Sequence, residues 1–231
     1  SAGEKIEQLS RELEQREKQL FTAAAELSSR RKQSAQELER ETVAVLEELG
    51  FSQSQFEVRV SPRESESGIL LPESEEVTVG ESGLDQIEFF ISLNPGQPLQ
   101  PLSKTASGGE ISRIMLALKT VLADVDHVPV MIFDEIDHGI SGRIARVVGK
   151  NLKYNAEKRQ IICITHLPQI ASLAEKHFRV AKLVRDGRTQ TVIEPLGPRE
   201  RIEEVAKLMG GETVTQTTMQ SAEELINTET D

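Results

Sequence analysis

The sequence predicts an α/β protein: a lobe built on a parallel sheet, entered through one long coiled-coil helix. Two apolar runs carry the sheet. Val130–Phe133 ends on the adjacent acids Asp134 and Glu135, and Ile161–Ile164 ends on Thr165 and His166. Runs this short and this apolar read as strands buried on both faces, the habit of parallel sheets. The third observation lies upstream, where apolar residues recur at heptad spacing along residues 4–50. The expected domains are a coiled-coil arm over 1–50 and one lobe over 51–231.

The arm reads as a single helix. Ile6, Leu9, Leu13, Arg16, Leu20, Ala23 and Leu27 alternate three and four residues apart, and Leu38, Thr42, Val45 and Leu49 resume the spacing. That is a coiled-coil seam with a break in register. No second segment of similar length and period occurs. The seam's partner is therefore expected on an absent upstream segment or on another molecule; a lone amphipathic helix is the plainer alternative. Gly50 is placed to end the helix. Alternation at Phe56, Val58, Val60, at Val77, Val79 and at Ile87, Phe89, Ile91 predicts short antiparallel strands. The Ser-, Pro- and Glu-rich stretch Ser61 to Glu76 reads as a mobile loop, and Asn94-Pro95-Gly96 as a turn.

Ser107 to Glu110 fits a Ser-x-x-Glu capping box, followed by a helical face of Ile111, Ile114, Met115, Leu118, Val121 and Leu122. Ser141 is placed to cap a helix bearing Ile144, Val147, Val148 and Leu152, and Pro168 suits a first helical position. Val180, Leu183 and Val184, then Asp186-Gly187, then Thr189, Thr191 and Ile193 read as a hairpin. Ile202, Val205, Leu208 and Met209 mark a helix closed by Gly210-Gly211. Met219, Ala222, Leu225 and Ile226 mark the last one.

Composition excludes several classes. The single cysteine, Cys163, rules out a disulfide framework and a Cys-based zinc site, and fits a reducing cytoplasm. No apolar run approaches the ~18 residues of a membrane span, and no signal peptide is apparent. The first residue is Ser1 rather than Met, which suggests a fragment or a processed chain. The net charge of −11 is uneven: residues 51–100 carry 2 basic and 9 acidic side chains, residues 151–200 carry 9 and 5. Uniform coating by DNA is not expected of such a chain. Lys153, Lys158, Arg159, Lys176, Arg179, Lys182, Arg185 and Arg188 could form one phosphate-contacting patch or an ordinary solvated surface.

The chemistry gathers between residues 107 and 166. A helix start presents unpaired N–H groups and a positive dipole end, and Gly108 and Gly109 let an anion approach without a Cβ in the way. An ordinary capped helix would carry the same residues. Asp134 and Glu135 stand where a parallel strand meets its carboxyl edge, the ligand-binding edge of open α/β sheets. Neighbouring carboxylates repel and ask for a cation or a shared proton. Asp134 could hold Mg²⁺ directly or through water, and Glu135 could polarise an attacking water. His166, at the end of the second strand, could contact a terminal phosphate oxygen or be a hydrogen-bonded structural residue.

The order of capped helix, acid-ended strand, Asp-containing loop and His-ended strand resembles the C-terminal lobe of ABC ATPases. The local wording is narrower. Gln86–Ile91, Asn94–Leu99, Ala106–Arg113, Ile132–Asp137, Gly139–Gly142 and Thr165–Gln169 are similar to the SMC-like branch that repairs bacterial double-strand breaks. The resemblance runs from about Phe56 to the C-terminus. It implies an ABC/SMC-type P-loop ATPase head that binds ATP and Mg²⁺. Asp134 would help hold the metal, Glu135 would act as general base or water-orienting group, and His166 would contact the γ-phosphate. The nucleotide-binding set would be Ser107, Gly108, Gly109 and Glu110 of the signature loop, acting on nucleotide held by a second head, with Asp137 in the D-loop. Implied partners are an N-terminal lobe with its outgoing coiled-coil helix, a second identical head, and DNA without sequence preference. The implied setting is recombinational repair at the bacterial nucleoid, with no membrane.

No Gly-x-x-x-x-Gly-Lys-Ser/Thr occurs: Gly149-Lys150 is followed by Asn151, and Ile144 stands where the first glycine is required. ATP turnover is therefore expected only with a P-loop from elsewhere, and this chain alone is expected to be inactive. Two rival readings stand beside this one: a non-enzymatic coiled-coil scaffold, and another ABC-type subunit such as a transporter ATPase.

Overall fold

The computed structural model describes residues 2–64, 69–70, 78–104, 108–185, 188–211 and 213–228. Ser107, and with it the capping box, lies outside the described residues. So do Val77, most of the Ser61 to Glu76 stretch, and the Asp186-Gly187 turn. The chain divides into two compact units: residues 1–44 with 52–105, and residues 45–51 with 106–231.

The first unit is led by α1 (Ala2–Glu48), a 47-residue helix. Its packed stripe is Ala24, Ser28, Arg31 and Ala35, four and three residues apart without interruption. Leu38 and Thr42 from the second half of the expected seam continue this stripe, Thr42 fully buried, whereas Ile6, Leu9 and Leu13 of its first half are 55–66% exposed. The helix carries two neighbouring stripes. Small residues and polar bonds make the packed one up to Ala35, so periodicity of large apolar residues does not register it there.

The strands beneath are β1 (Gln55–Pro62), β2 (Ile69–Leu70), β3 (Thr78–Val79), β4 (Asp85–Ser92) and β5 (Gln100–Pro101). β1, β4 and β5 form one antiparallel sheet, with Val58 opposite Phe89. Of the alternating Ile87, Phe89 and Ile91, Ile87 is exposed and Ile91 buried, and Phe90 is buried beside it. Buried Asp85 ties helix to sheet: Ser28 Oγ donates to it at 2.7 Å and Arg31 Nη1 at 3.0 Å. Glu39 accepts the Val58 backbone N–H at 2.7 Å.

The second unit starts with the end of α1. Gly50, at φ +96°, closes the helix, and a Cβ there would meet Ile144 Cδ1 at 2.8 Å. Then come α2 (Gly108–Val121), β6 (Val130–Phe133), α3 (Gly142–Ala156), β7 (Gln160–Cys163), α4 (Pro168–Ala171), β8 (Phe178–Arg185), β9 (Arg188–Pro195), α5 (Pro198–Gly210) and α6 (Gln216–Thr228). β6 and β7 pair in parallel, Val130 with Gln160 and Phe133 with Cys163. The core around them holds Ile114, Leu116, Met131, Phe133, Ile136, Val148 and Leu152.

Three expectations change here. The strands are buried on one face only: Met131 and Phe133 face the core, whereas Ile132 is 66% exposed and Val130, Ile162 and Ile164 lie open with it. The described pair has helices packed on a single side. β7 stops at Cys163, so Thr165 and His166 lie in the following loop, with one more ladder bond from Ile164 N to Phe133 O at 2.9 Å. Ser141 occupies the N-cap position of α3, but its side chain makes no cap bond. Gly149 belongs to packing, not to a phosphate loop: a Cβ there would collide with Leu173, and it lets α4 approach α3.

β8 and β9 form the antiparallel hairpin. α5 and α6 close on a small core of Ala171, Val205, Ala206 and Ala222. Three of the basic residues considered as a patch are engaged with acids. Arg159 is buried against Asp126 at 3.1 Å, Lys158 bonds Asp124, and Arg179 bonds Glu194 at 2.7 Å.

Candidate functional site

The site is assembled by a helix that runs out and a strand that runs back. α2 begins at Gly108, and β6 returns to deliver Asp134 and Glu135 beside that beginning. Gly108 packs against the Glu135 carboxylate, and a Cβ there would overlap Oε2. Gly109 is buried, and a Cβ on it would lie 2.9 Å from both the Glu135 backbone oxygen and His138 Cβ. Gly109 is thus needed inside this chain, whatever it meets outside it, whereas at Gly108 only the end of a side chain stands in the way.

Glu135 has φ +56°, a left-handed conformation that non-glycine residues enter at a cost. The turn after it holds that backbone. His138 N bonds Glu135 O at 3.0 Å, and Asp134 Oδ1 accepts the Glu135 N–H at 2.9 Å. α2 grips the same turn from the side. Ser112 Oγ donates to Asp134 O at 2.8 Å, and buried Arg113 donates through Nη1 to His138 O at 2.8 Å and Ile136 O at 3.4 Å. Arg113 also lies over the Phe51 ring at 5.0 Å. Burial lowers the Arg113 pKa from its ordinary value, and nearby Glu110 partly offsets this. Asp134 and Glu135 themselves are exposed.

Asp137 is buried, and its Oδ2 accepts from Thr165 Oγ1 at 2.6 Å and from His166 N at 2.9 Å, while His166 Nδ1 lies 3.0 Å from it. Its carboxylate is therefore turned into the protein, toward the end of β7. The His166 ring itself is 74% exposed. Burial pushes the neighbouring Cys163 thiol up to about 12, with the Asp137 and Asp134 charges adding to it.

The structure brings Gly108, Gly109, Asp134, Glu135, Asp137 and His166 to one end of the β6–β7 pair. Glu110 stands one turn into α2, partly buried. Sequence reasoning assigned no role to Ser112, Arg113 or Thr165. Thr165 carried a usable signal, since a hydroxyl next to a strand-end histidine is placed to share its partner.

No family model matches the sequence. DNA repair protein RecN of Bacillus subtilis (strain 168) is 37% identical over 225 residues, covering 96% of this chain and 39% of that protein. RecN of Vibrio cholerae serotype O1 is 40% identical, covering 90% and 36%. RecN of Treponema pallidum (strain Nichols) is 38% identical, covering 98% and 38%. The chain spans about two fifths of the length of the curated relatives it matches. Among solved structures, the Smc head domain of Pyrococcus furiosus, with an extended coiled coil and bound to the C-terminal domain of ScpA, superposes with a TM-score of 0.54. It is 20% identical, covering 90% of this chain and 45% of that one. The Smc head domain of Pyrococcus yayanosii, with a coiled coil and joint, gives 0.50 at 19% identity, covering 89% and 34%. The chain is thus a relative of the RecN DNA repair proteins along nearly its whole length, and it has the fold of part of an SMC-type head.

Proposed function

We propose that this chain supplies the signature, Walker B and His-loop portion of a RecN-type ATPase head, acting in recombinational repair of DNA double-strand breaks. The observation that supports it is the gathering of the α2 start, Asp134, Glu135 and His166 at one strand edge. The rest of the head, with its P-loop, would come from another segment. The open apolar face of Val130, Ile132, Ile162 and Ile164 fits a sheet completed by such a lobe. The exposed Ile6, Leu9 and Leu13 fit residues 1–50 as an arm paired with an outgoing helix.

The residues present suit ATP with Mg²⁺. Among the described residues no three His, Cys, Asp or Glu side chains converge as a metal cage. Mg²⁺ does not require one, because it is commonly held through one or two carboxylates together with substrate phosphates and water. Asp134, exposed at the strand end, is the side chain that would hold it. When bound, the metal–nucleotide pair supplies the γ-phosphoryl group and neutralises its charge. Glu135 orients or deprotonates the attacking water, and His166 contacts a γ-phosphate oxygen. Ser107, Gly108 and Gly109 serve the nucleotide of a second, identical head, so that binding closes two heads and hydrolysis releases them. Positioning and charge stabilisation of this kind are the main demands of phosphoryl transfer. The DNA would be held without sequence preference through its backbone. No described helix is long and apolar enough to cross a membrane.

The exposed seam also supports a second reading, a coiled-coil scaffold without turnover. Steady-state ATP hydrolysis separates the two. The chain alone, the chain mixed with a P-loop lobe, and that mixture with Glu135→Gln are compared. Turnover only on mixing, and lost with the substitution, is expected. A folded mixture with no turnover leaves the scaffold.

A further inference from the structure

The left-handed φ of +56° at Glu135 is not fixed by the local turn. The His138 N–H bond to Glu135 O closes a turn whose central residues are Ile136 and Asp137, so it leaves rotation about the Glu135 N–Cα bond free. The bond from the Glu135 N–H to Asp134 Oδ1 constrains the torsions of Asp134, not those of Glu135. What defines the backbone at Glu135 is the angle between the peptide before it, which carries Asp134 O, and the peptides after it, which carry Ile136 O and His138 O. Two adjacent residues of α2 hold both sides. Ser112 Oγ donates to Asp134 O at 2.8 Å, and Arg113 Nη1 donates to His138 O at 2.8 Å and to Ile136 O at 3.4 Å. Arg113 is buried, and its guanidinium lies over the ring of buried Phe51 at 5.0 Å. Releasing those carbonyls would leave a buried charged donor unsatisfied, so the grip is costly to open.

We propose that Ser112 and Arg113 are positioning residues that clamp the peptides on either side of Glu135, keep it left-handed and so set where its carboxylate leaves the backbone. A non-glycine residue stays in that region only where its surroundings over-determine it, and here two side chains of one helix do so. The Cα–Cβ bond turns with the backbone. A Glu135 that relaxed to a right-handed or extended conformation would therefore carry its carboxylate away from the start of α2, where it now lies against Gly108. Ser112 and Arg113 spend their bonds on backbone oxygens and act through Glu135. The effect on turnover rests on the reading of Glu135 as the acid that orients or deprotonates water, but the clamp itself does not.

The test has two parts. First, backbone residual dipolar couplings of the ¹⁵N,¹³C-labelled chain report the φ of residue 135. Left-handed geometry is expected in the unsubstituted chain and in Ser112→Thr, which keeps the hydroxyl. Its loss is expected in Ser112→Ala and in Arg113→Met, which keeps a packed stem without the donors. A Glu135 that stays left-handed in either folded variant overturns the inference. Second, turnover of the mixture with a P-loop lobe is measured for the same variants. A drop in kcat of at least about tenfold, with KM for ATP moved less than about threefold, is expected for Ser112→Ala and Arg113→Met, as for a misplaced catalytic group. Ser112→Thr should keep kcat within about threefold of the unsubstituted mixture. In a Glu135→Gln background neither substitution should slow the residual turnover further, because both act through that carboxylate. Losses that multiply, or an unchanged kcat in Ser112→Ala, overturn the inference, and Ser112→Ala decides alone if Arg113→Met does not fold. Full turnover by Glu135→Gln overturns instead the reading of Glu135 as the acid acting on water, and leaves the dipolar-coupling result standing.

Discussion

Gly109 and Glu135 are in van der Waals opposition: a Cβ on Gly109 would lie 2.9 Å from the Glu135 backbone oxygen. Gly109, which sequence reasoning assigns with Gly108 to an external phosphate, is thus required first by the chain's own fold. The two positions differ in what they press on. Gly109 meets backbone and the base of His138, while Gly108 meets the free end of the Glu135 side chain.

Gly109→Ala is accordingly expected to lose about 1–3 kcal/mol, the usual cost of overpacking, because the turn must shift. Gly108→Ala is expected to stay within about 0.5 kcal/mol, since only a carboxylate has to swing away and alanine favours a helix. Urea unfolding of the two variants checks the contrast. Equal losses would mean that the Glu135 carboxylate is as firmly held as its backbone.

A second prediction concerns Asp126. Its pKa is lowered chiefly by a hydrogen bond from Lys119, then by the Val128 N–H and by the Lys119 and Arg159 charges, with burial opposing. Lys119 Nζ lies at 2.6 Å and the Arg159 guanidinium, almost wholly buried, at 3.1 Å. A carboxyl lowered in the folded state contributes stability above its unfolded pKa, and this is lost as pH falls through the folded value. Asp126→Asn should cost about 3 kcal/mol at neutral pH, because it leaves a buried cation without its counterion. The gap from the unsubstituted chain should stay flat down to the ordinary carboxylate range and close below it. Urea midpoints followed from neutral to acid pH report this; a gap independent of pH would remove the ion pair from the account.

These contacts mark where local pattern stops being informative. The strands at 130 and 160, the helix from 108 and the length of α1 follow from periodicity, and periodicity is a property of neighbours in sequence. The stripe of Ala24, Ser28, Arg31 and Ala35 does not, because small and charged residues carry it and its meaning comes from Asp85, more than fifty positions on. Ile132 reads as core in sequence and is exposed in the structure, since the run cannot say how many faces its sheet has covered. At the site, the residue types Asp134, Glu135 and His166 were legible as chemistry. The Asp137–Thr165–His166 junction was not, because it joins two loops across a strand pair.

Asp85 offers a direct test of the helix stripe. It is buried, and its two oxygens serve Ser28 and Arg31 separately. Asp85→Ala should destabilise the first unit by about 2 kcal/mol, as expected for losing bonds to a charged acceptor, and Ser28→Ala by about 1 kcal/mol. Amide exchange across the β1–β4 ladder should accelerate in both, more in Asp85→Ala. Unchanged exchange would show that the helix is held there without the Asp85 bonds.

Cys163 closes the set, because its environment decides its reactivity. It sits on β7 beside the two acids of the site, and burial pushes its thiol up to about 12, with the Asp137 and Asp134 charges in support. Thiolate is the reactive form, so at pH 8 the folded chain should be alkylated by iodoacetamide at least about a hundredfold more slowly than an ordinary thiol. In urea the rate should rise to that of an unstructured cysteine. The linkage has a definite sign: an acid raised in the folded state adds stability that is full below its unfolded pKa and declines as pH rises toward about 12. Cys163→Ser should lack that alkaline decline. Replacing Asp137 by Ala removes the larger of the two charges acting on the thiol, so alkylation of the folded chain should quicken. Rapid modification of the unsubstituted folded chain at pH 8 would mean that this end of β7 opens to solvent far more often than its packing implies.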